Sequence, residues 1–146
     1  MKVKQLSLFL ENRPGAISRP VKLLSKAKFN ILTLNLADSQ QFGILRFVVR
    51  DWQKAKELLE NEGFVVRVTD MVAIEVADKP GGLAAILAVL EKARVNLDYM
   101  YGFTLKNEGR GLLAFRFDDP DRAIAALSKK GITPVGSEDL FKRLDG

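Results

Sequence analysis

Glu11-Asn12-Arg13-Pro14-Gly15-Ala16-Ile17 reads as a strand-to-helix turn, and 66 residues further on the chain repeats it as Ala77-Asp78-Lys79-Pro80-Gly81-Gly82-Leu83. An alternating apolar run precedes each copy, Leu6, Leu8 and Leu10 in one and Val72, Ile74 and Val76 in the other. Alternation with period two marks a strand with one buried face. After the first copy the spacing lengthens to three and four, with Ile17, Val21 and Leu24 on one side and Arg19, Lys22 and Lys26 on the other. That pattern predicts an amphipathic helix. Pro20 lies early in it, removing one donor and crowding the carbonyl of Ala16, so the helix is expected to begin late or with a distorted turn.

Outward from the first turn, Asn30 opens a second strand (31–37), residues 38–42 turn, and a third strand comes next (43–49). Asp51 is placed to cap a helix through Ala55, Leu58 and Leu59, which Gly63 closes at a position where positive φ is cheap only for glycine. A fourth strand (64–68) completes the order βαββαβ. The same order returns as a strand (71–77), a helix (82–94), strands 97–105 and 111–117, a helix (120–130) and a short strand (132–135). Asp119, Pro120 and Gly131 supply strong start and stop signals for that last helix.

At an offset of 66, Asn30 matches Asn96; after a two-residue insertion, Gly43, Phe47, Asp51, Ala55, Leu59 and Gly63 match Gly111, Phe115, Asp119, Ala123, Leu127 and Gly131. Such a register identifies an internal duplication. The predicted fold class is α+β: two ferredoxin-like βαββαβ units, each an antiparallel four-stranded sheet with two helices on one face. The expected domains are 1–68 and 69–146, with only Thr69 and Asp70 between the fourth strand of the first and the first strand of the second, too little for a flexible linker. In the second, Ser137 is read as the cap of a short last helix with Leu140, Phe141 and Leu144 on its apolar face.

Composition narrows the function. Cysteine and histidine are both absent from the 146 residues, which removes disulfides, thiolate nucleophiles, Cys/His metal sites and the commonest proton-transfer side chain. There is no glycine-rich phosphate loop and no nucleophile-base arrangement, and the acidic pairs Asp118-Asp119 and Glu138-Asp139 stand at helix starts, where capping accounts for them. The chain is therefore not expected to be an enzyme, and neither a cofactor nor a metal is expected. No apolar run reaches the roughly 18 residues of a membrane span, and Met1-Lys2-Val3-Lys4 leads straight into a strand, so a cytoplasmic location without membrane contact is expected. The net charge of +5 is lopsided: residues 1–68 hold 12 Lys/Arg against 6 Asp/Glu, and residues 69–146 hold 11 against 12.

A two-layer unit leaves one sheet face for something else to cover. On the third strands, Leu45, Phe47 and Val49 are expected to face the helices and Ile44, Arg46 and Val48 to face outward, with Leu112, Ala114 and Arg116 outward in the second copy. Leu97, Tyr99, Tyr101 and Phe103 alternate on what would be the opposite face from Leu32, Leu34 and Leu36, so either the register slips at a bulge or the second unit carries an aromatic outer face. An RNA-binding module shares this topology, and Arg110-Gly111-Leu112-Leu113-Ala114-Phe115-Arg116-Phe117 echoes its octapeptide. Leu112 and Ala114 stand where stacking rings are required, so nucleic acid is not the expected partner. A pure dimerisation module is the other alternative.

The topology, Asn12-Arg13-Pro14-Gly15 and Asp78-Lys79-Pro80-Gly81 at the first turns, and Asn30-Ile31 and Asn96-Leu97 after the first helices together resemble the ACT domain, present as two tandem copies over nearly the whole chain. The resemblance implies a regulatory module that binds an amino acid between neighbouring domains near the first turn. Physically, helix starts at Gly15 to Ile17 and Gly81 to Leu83 offer amide donors to a carboxylate, and glycine admits close approach. Acceptors for the ammonium would be Asn12 and Asn30 in one site and Asp78 and Asn96 in the other. Asn12 and Asn30 match ligand-contacting asparagines of the serine-binding domains of phosphoglycerate dehydrogenases, whereas a histidine of that site is replaced by Leu10, which argues against serine. The implied site residues are Asn12, Arg13, Pro14, Gly15, Ala16, Ile17, Asn30 and Ile31 in the first copy. In the second they are Asp78, Lys79, Pro80, Gly81, Gly82, Leu83, Asn96, Leu97 and Tyr99. The expected partners are an amino acid or similar small zwitterion, a second copy of the chain in a homodimer, and a regulated enzyme or other protein.

Overall fold

The computed structural model describes residues 1–39, 41–103 and 110–145. The elements are β1 (Val3–Glu11), α1 (Ser18–Lys26), β2 (Thr33–Ser39), β3 (Phe42–Val48), α2 (Trp52–Asn61), β4 (Val66–Ala77), α3 (Gly82–Lys92), β5 (Leu97–Gly102), β6 (Arg110–Phe117), α4 (Pro120–Lys129) and α5 (Ser137–Asp145). Two compact units emerge, Lys4–Thr69 and the set Met1–Val3 with Asp70–Gly146. The α+β class with two ferredoxin-like units describes them, and each β-pair with a defined register is antiparallel.

In the first unit the strand order is β2-β3-β1-β4. The aligned rows Leu34, Phe47, Leu6 and Leu36, Leu45, Leu8 point one way. Leu6, Leu8, Leu24, Leu45, Phe47, Val49, Ala55 and Leu59 make its core, with Trp52 of α2 packed half-buried against it. The sequence pattern places one face of β1 in the interior, yet Gln5 and Ser7 on its other face are buried too, as is Val48 of β3. Leu34 and Leu36 share the core face but stand on the edge strand β2, where they remain about half exposed, at 53% and 55%.

In the second unit the order is β4-β6-β5 over a core of Val72, Ile74, Val76, Ile86, Leu90, Phe115, Phe117, Ala123 and Leu127. Three expectations are corrected here. The strands expected at 64–68 and 71–77 are one continuous strand, because Thr69 and Asp70 extend β4 without a break. The short strand expected at 132–135 shrinks to a single bridge between Val135 and Ala73, since Pro134 has no N–H with which to extend a ladder. Ser137 is the first helical residue of α5, not its cap. That helix packs back on its own unit: Leu140 is fully buried, and Arg143 pairs with both Asp139 and Glu75 on the outer face of β4.

The strand expected over 97–105 is defined to Gly102, and Thr104 and Leu105 lie outside the described residues. Its register shifts between Leu97 and Tyr99. Both alternatives for this strand therefore hold at once. Leu97, opposite Phe117, and Met100, opposite Phe115, join the core, whereas Tyr99 and Tyr101 stand opposite Arg116 and Ala114 on the outer face. The rings of Tyr101 and Phe103 lie 6.2 Å apart. Leu112 and Ala114, expected outward, are on the outer face and buried.

Helix ends obey the local chemistry. α1 begins late, at Ser18, with Pro20 in its first turn. Asp119 caps α4 by accepting from the Arg122 N–H at 3.1 Å; Asp51 occupies the same place before α2 without such a bond. Gly63 and Gly131 end their helices at φ of +89° and +75°. The matching positions after α1 and α3 hold Lys28 and Arg94 at φ +64° and +55°, so the left-handed residues there are these two cations and not Asn30 and Asn96.

Candidate functional site

Each candidate turn is built by the same backbone scheme. In the first, the Arg13 N–H donates to the Glu11 carbonyl at 3.0 Å and the Ala16 N–H to the Arg13 carbonyl at 3.2 Å, with Gly15 at φ +84°. In the second, the Lys79 N–H donates to the Ala77 carbonyl at 2.9 Å and the Gly82 N–H to the Lys79 carbonyl at 3.0 Å, with Gly81 at φ +87°. Positive φ is the reason both copies need glycine at that point. Beyond that glycine the two copies diverge. Gly81 is the cap of α3, so Gly82 and Leu83 already belong to the helix, whereas Ala16 and Ile17 form an extra turn before α1. The anion-receiving helix start predicted for Gly15 to Ile17 is thus displaced by two residues in the first unit.

The first turn borders a cleft of about 410 Å³ lined by Phe9, Glu11, Arg13, Pro14, Gly15, Ala16, Arg19 and the segment Gly63 to Val65. Arg13 donates to the Glu11 carboxylate at 2.6 Å. Arg19 lies over the Phe64 ring at 4.7 Å and donates to the Glu62 carbonyl at 3.0 Å. The Asn12 N–H fastens the turn to the Gln41 carbonyl at 2.9 Å. Sequence reasoning misses Arg19 and Phe64 here: periodicity places Arg19 on a solvated helix face, and only an arginine spaced to reach an aromatic at the end of the second helix hints otherwise.

The second turn borders a cleft of about 460 Å³ lined by Val76, Ala77, Asp78, Lys79, Pro80, Leu83, Gly111 and Leu113, so it opens against β6. Its helix is pressed close to the strand, since a Cβ on Gly82 would lie 2.0 Å from the Ala77 carbonyl oxygen. Asp78 and Lys79 are exposed at its mouth.

The asparagines after the first helices are elsewhere. Asn12 comes just after the Glu11–Phe42 pair, while Asn30 and Ile31 precede the Thr33–Val48 pair at the other end of the same sheet. The six residue steps of β3 between those pairs span about 20 Å. Likewise Asp78 comes just after the Ala77–Arg110 pair, and Asn96 precedes the Leu97–Phe117 pair at the far end of β6. One unit therefore does not bring Asn12 to Asn30, nor Asp78 to Asn96, Leu97 and Tyr99. Asn96 is engaged locally: its N–H donates to Asp118 and its side-chain amide to Asp98, both at 3.0 Å. Asn30 is exposed.

Residues 1–144 match a family model described as an ACT domain pair. Protein BT0572 from Bacteroides thetaiotaomicron has a crystal structure similar to this chain at 36% identity, over 97% of each chain, with a TM-score of 0.89. The regulatory subunit of aspartate kinase from Thermus thermophilus, in ligand-free form, shares the fold at 16% identity over 86% of this chain and 91% of that one, with a TM-score of 0.62. The corresponding subunit from Thermus flavus does so at 15% identity over 86% and 90%, with a TM-score of 0.61. No curated protein sequence matches the chain.

Proposed function

The chain belongs to the ACT domain-pair family, and from that premise we propose that it binds a free amino acid, or a similar small zwitterion, at the strand-helix turns and passes occupancy on to a partner protein. An ACT pair is a regulatory domain and carries no catalytic family with it. The observation that carries the ligand reading is the duplicated turn: Asn12 to Gly15 and Asp78 to Gly81 repeat one hydrogen-bond scheme, and each borders a cleft of a size that suits a small molecule. Backbone amides there receive the carboxylate and Asn12 or Asp78 the ammonium.

Because Asn30 stands about 20 Å from Asn12 in its own unit, a ligand contacted by both asparagines is held between two copies of the chain. The proposed active form is accordingly a homodimer in the cytoplasm, built of ACT domains 1–68 and 69–146. Among the described residues no helix is long and apolar enough to cross a membrane. The RNA alternative loses its platform, because Leu112 and Ala114 are 3% and 1% exposed and cannot stack on a base.

Calorimetric titration with the twenty amino acids tests the reading. Saturable binding to one of them, abolished by Asn12→Ala or Asp78→Ala, is the expected result. Asp78 adds a full negative charge for the ammonium, so a ligand bound only at the Asn12 turn would count against the charge argument, and binding of none would refute the reading.

A further inference from the structure

α3 is the least polar helix of the chain: from Gly82 to Leu90 it has no charged or hydrogen-bonding side chain. A helix apolar all round belongs inside a protein or under a partner, yet Ala84, Ala85, Leu87 and Ala88 are exposed. The duplication supplies the comparison. At the offset of 66, Ser18, Arg19 and Lys22 of α1 stand where α3 has Ala84, Ala85 and Ala88. At the offset of 68, Glu57 and Glu62 of the first unit become Ala125 and Lys130. The first helix pair therefore mixes both signs, with Arg19 within 3.8 Å of the Glu62 carboxylate.

Among the described residues, the second helix pair has no acid in the matching groove. Between α3 and α4 runs a cavity of about 480 Å³ with a floor of Ala88, Ala125 and Ala126 and a rim of Lys92, Arg122, Lys129 and Lys130. Arg122 lies 3.8 Å from Asp119, and Lys92, Lys129 and Lys130 have no ion pair among the described residues. This concentration of positive charge falls in the half of the chain that is nearly neutral as a whole, with 11 Lys/Arg against 12 Asp/Glu.

We infer that the α3–α4 groove docks an acidic amphipathic helix of a partner protein, its apolar stripe seated on the alanine floor and its carboxylates facing the four cations. The small floor residues leave room for larger side chains of the incoming helix, and the rim sets charge specificity and encounter rate. Two-fold pairing of the groove with itself would oppose like charges, and the floor offers no ring to a nucleic-acid base. The inference needs no ligand at either turn.

The test uses the full chain, without added amino acid, and a fluorescein-labelled helical peptide of about 18 residues with leucine along one face and glutamate elsewhere, read by anisotropy. Saturable binding is expected, weakened roughly tenfold by Lys129→Glu and also weakened by Ala88→Lys, which installs the first unit's residue. Ala88→Lys is the decisive variant, because it adds favourable charge while covering the apolar floor; both positions are exposed, and circular dichroism verifies folding. No binding, equal binding of a leucine-free polyglutamate, tighter binding of single-stranded RNA, or stronger binding by Ala88→Lys would each overturn the inference. Self-association of the chain that is lost in both variants would overturn it in favour of a second copy as the occupant.

Discussion

At the first turn Ala16 carries a methyl group where the second turn has Gly82, and four residues on Pro20 stands where the second copy has Ile86. The Arg19 N–H still reaches the Gly15 carbonyl at 3.4 Å, but Pro20 has no N–H to return toward Ala16, so the ladder is interrupted and regular α1 starts at Ser18; Ile86 keeps its donor, and α3 starts at Gly82. The difference moves the helix relative to the strand that precedes it. In the second copy the helix begins hard against Ala77, with no space for a Cβ. In the first, Gly15 and Ala16 line a cleft that reaches Gly63, Phe64 and Val65. Two turns that share a pair of backbone hydrogen bonds thus have different neighbourhoods, and duplicated sites with different walls need not share a ligand.

The largest expected break in this comparison is at Gly82. Helix propensity alone predicts that Gly82→Ala stabilises by about 1 kcal/mol; contact with a backbone carbonyl that cannot swing away reverses the sign, to a loss of about 2 kcal/mol. The mirror change, Ala16→Gly, should cost only about 0.5–1 kcal/mol through the unfolded chain. Urea denaturation of both variants checks the pair, and equal losses would show that the two helices approach their strands alike.

A smaller difference is expected at the second helix of each copy. Asp119→Ala removes a bonded cap and should cost about 1 kcal/mol, whereas Asp51 makes no side-chain cap and only an exposed contact with Lys54 at 3.4 Å, so Asp51→Ala should cost less than about 0.5 kcal/mol. Thermal melts of the two variants decide it.

The smallest effect is one on which the copies should agree. Lys28→Gly and Arg94→Gly relieve a left-handed backbone that costs a side-chain-bearing residue about 1–2 kcal/mol, against greater freedom of the unfolded chain and loss of a cation at the negative end of a helix. A net gain of about 0.5 kcal/mol is expected for each, seen as a slightly higher melting midpoint.

The order of elements was legible because the duplication repeats its signals in register: what is ambiguous once, such as Asp51 before a helix, is clear beside Asp119 and Pro120. What failed to show depended on three-dimensional ends and edges. Nothing in the spacing of Asn12 and Asn30 says that a helix and the length of a sheet separate them. The alternation of Leu34 and Leu36 reports the face they share with the core, and is silent about the edge position of β2 that leaves them exposed. Pro134 was visible, but its effect on the last strand needed the position of Ala73. The family resemblance named turns that the structure also shows as a repeated motif, whereas the contact of Arg19 with Phe64 rests on tertiary proximity that periodicity cannot supply.

The placement of the aromatic residues has a practical consequence. The chain has one tryptophan and two tyrosines; Trp52 packs against the core of the first unit, and Tyr99 and Tyr101 both lie on β5 of the second. Excitation at the red edge of the absorption band, where phenols do not absorb, therefore selects the single indole and reports on the first unit alone. A titration monitored in that way shows whether a ligand disturbs the first unit, without any label, mutation or crystal.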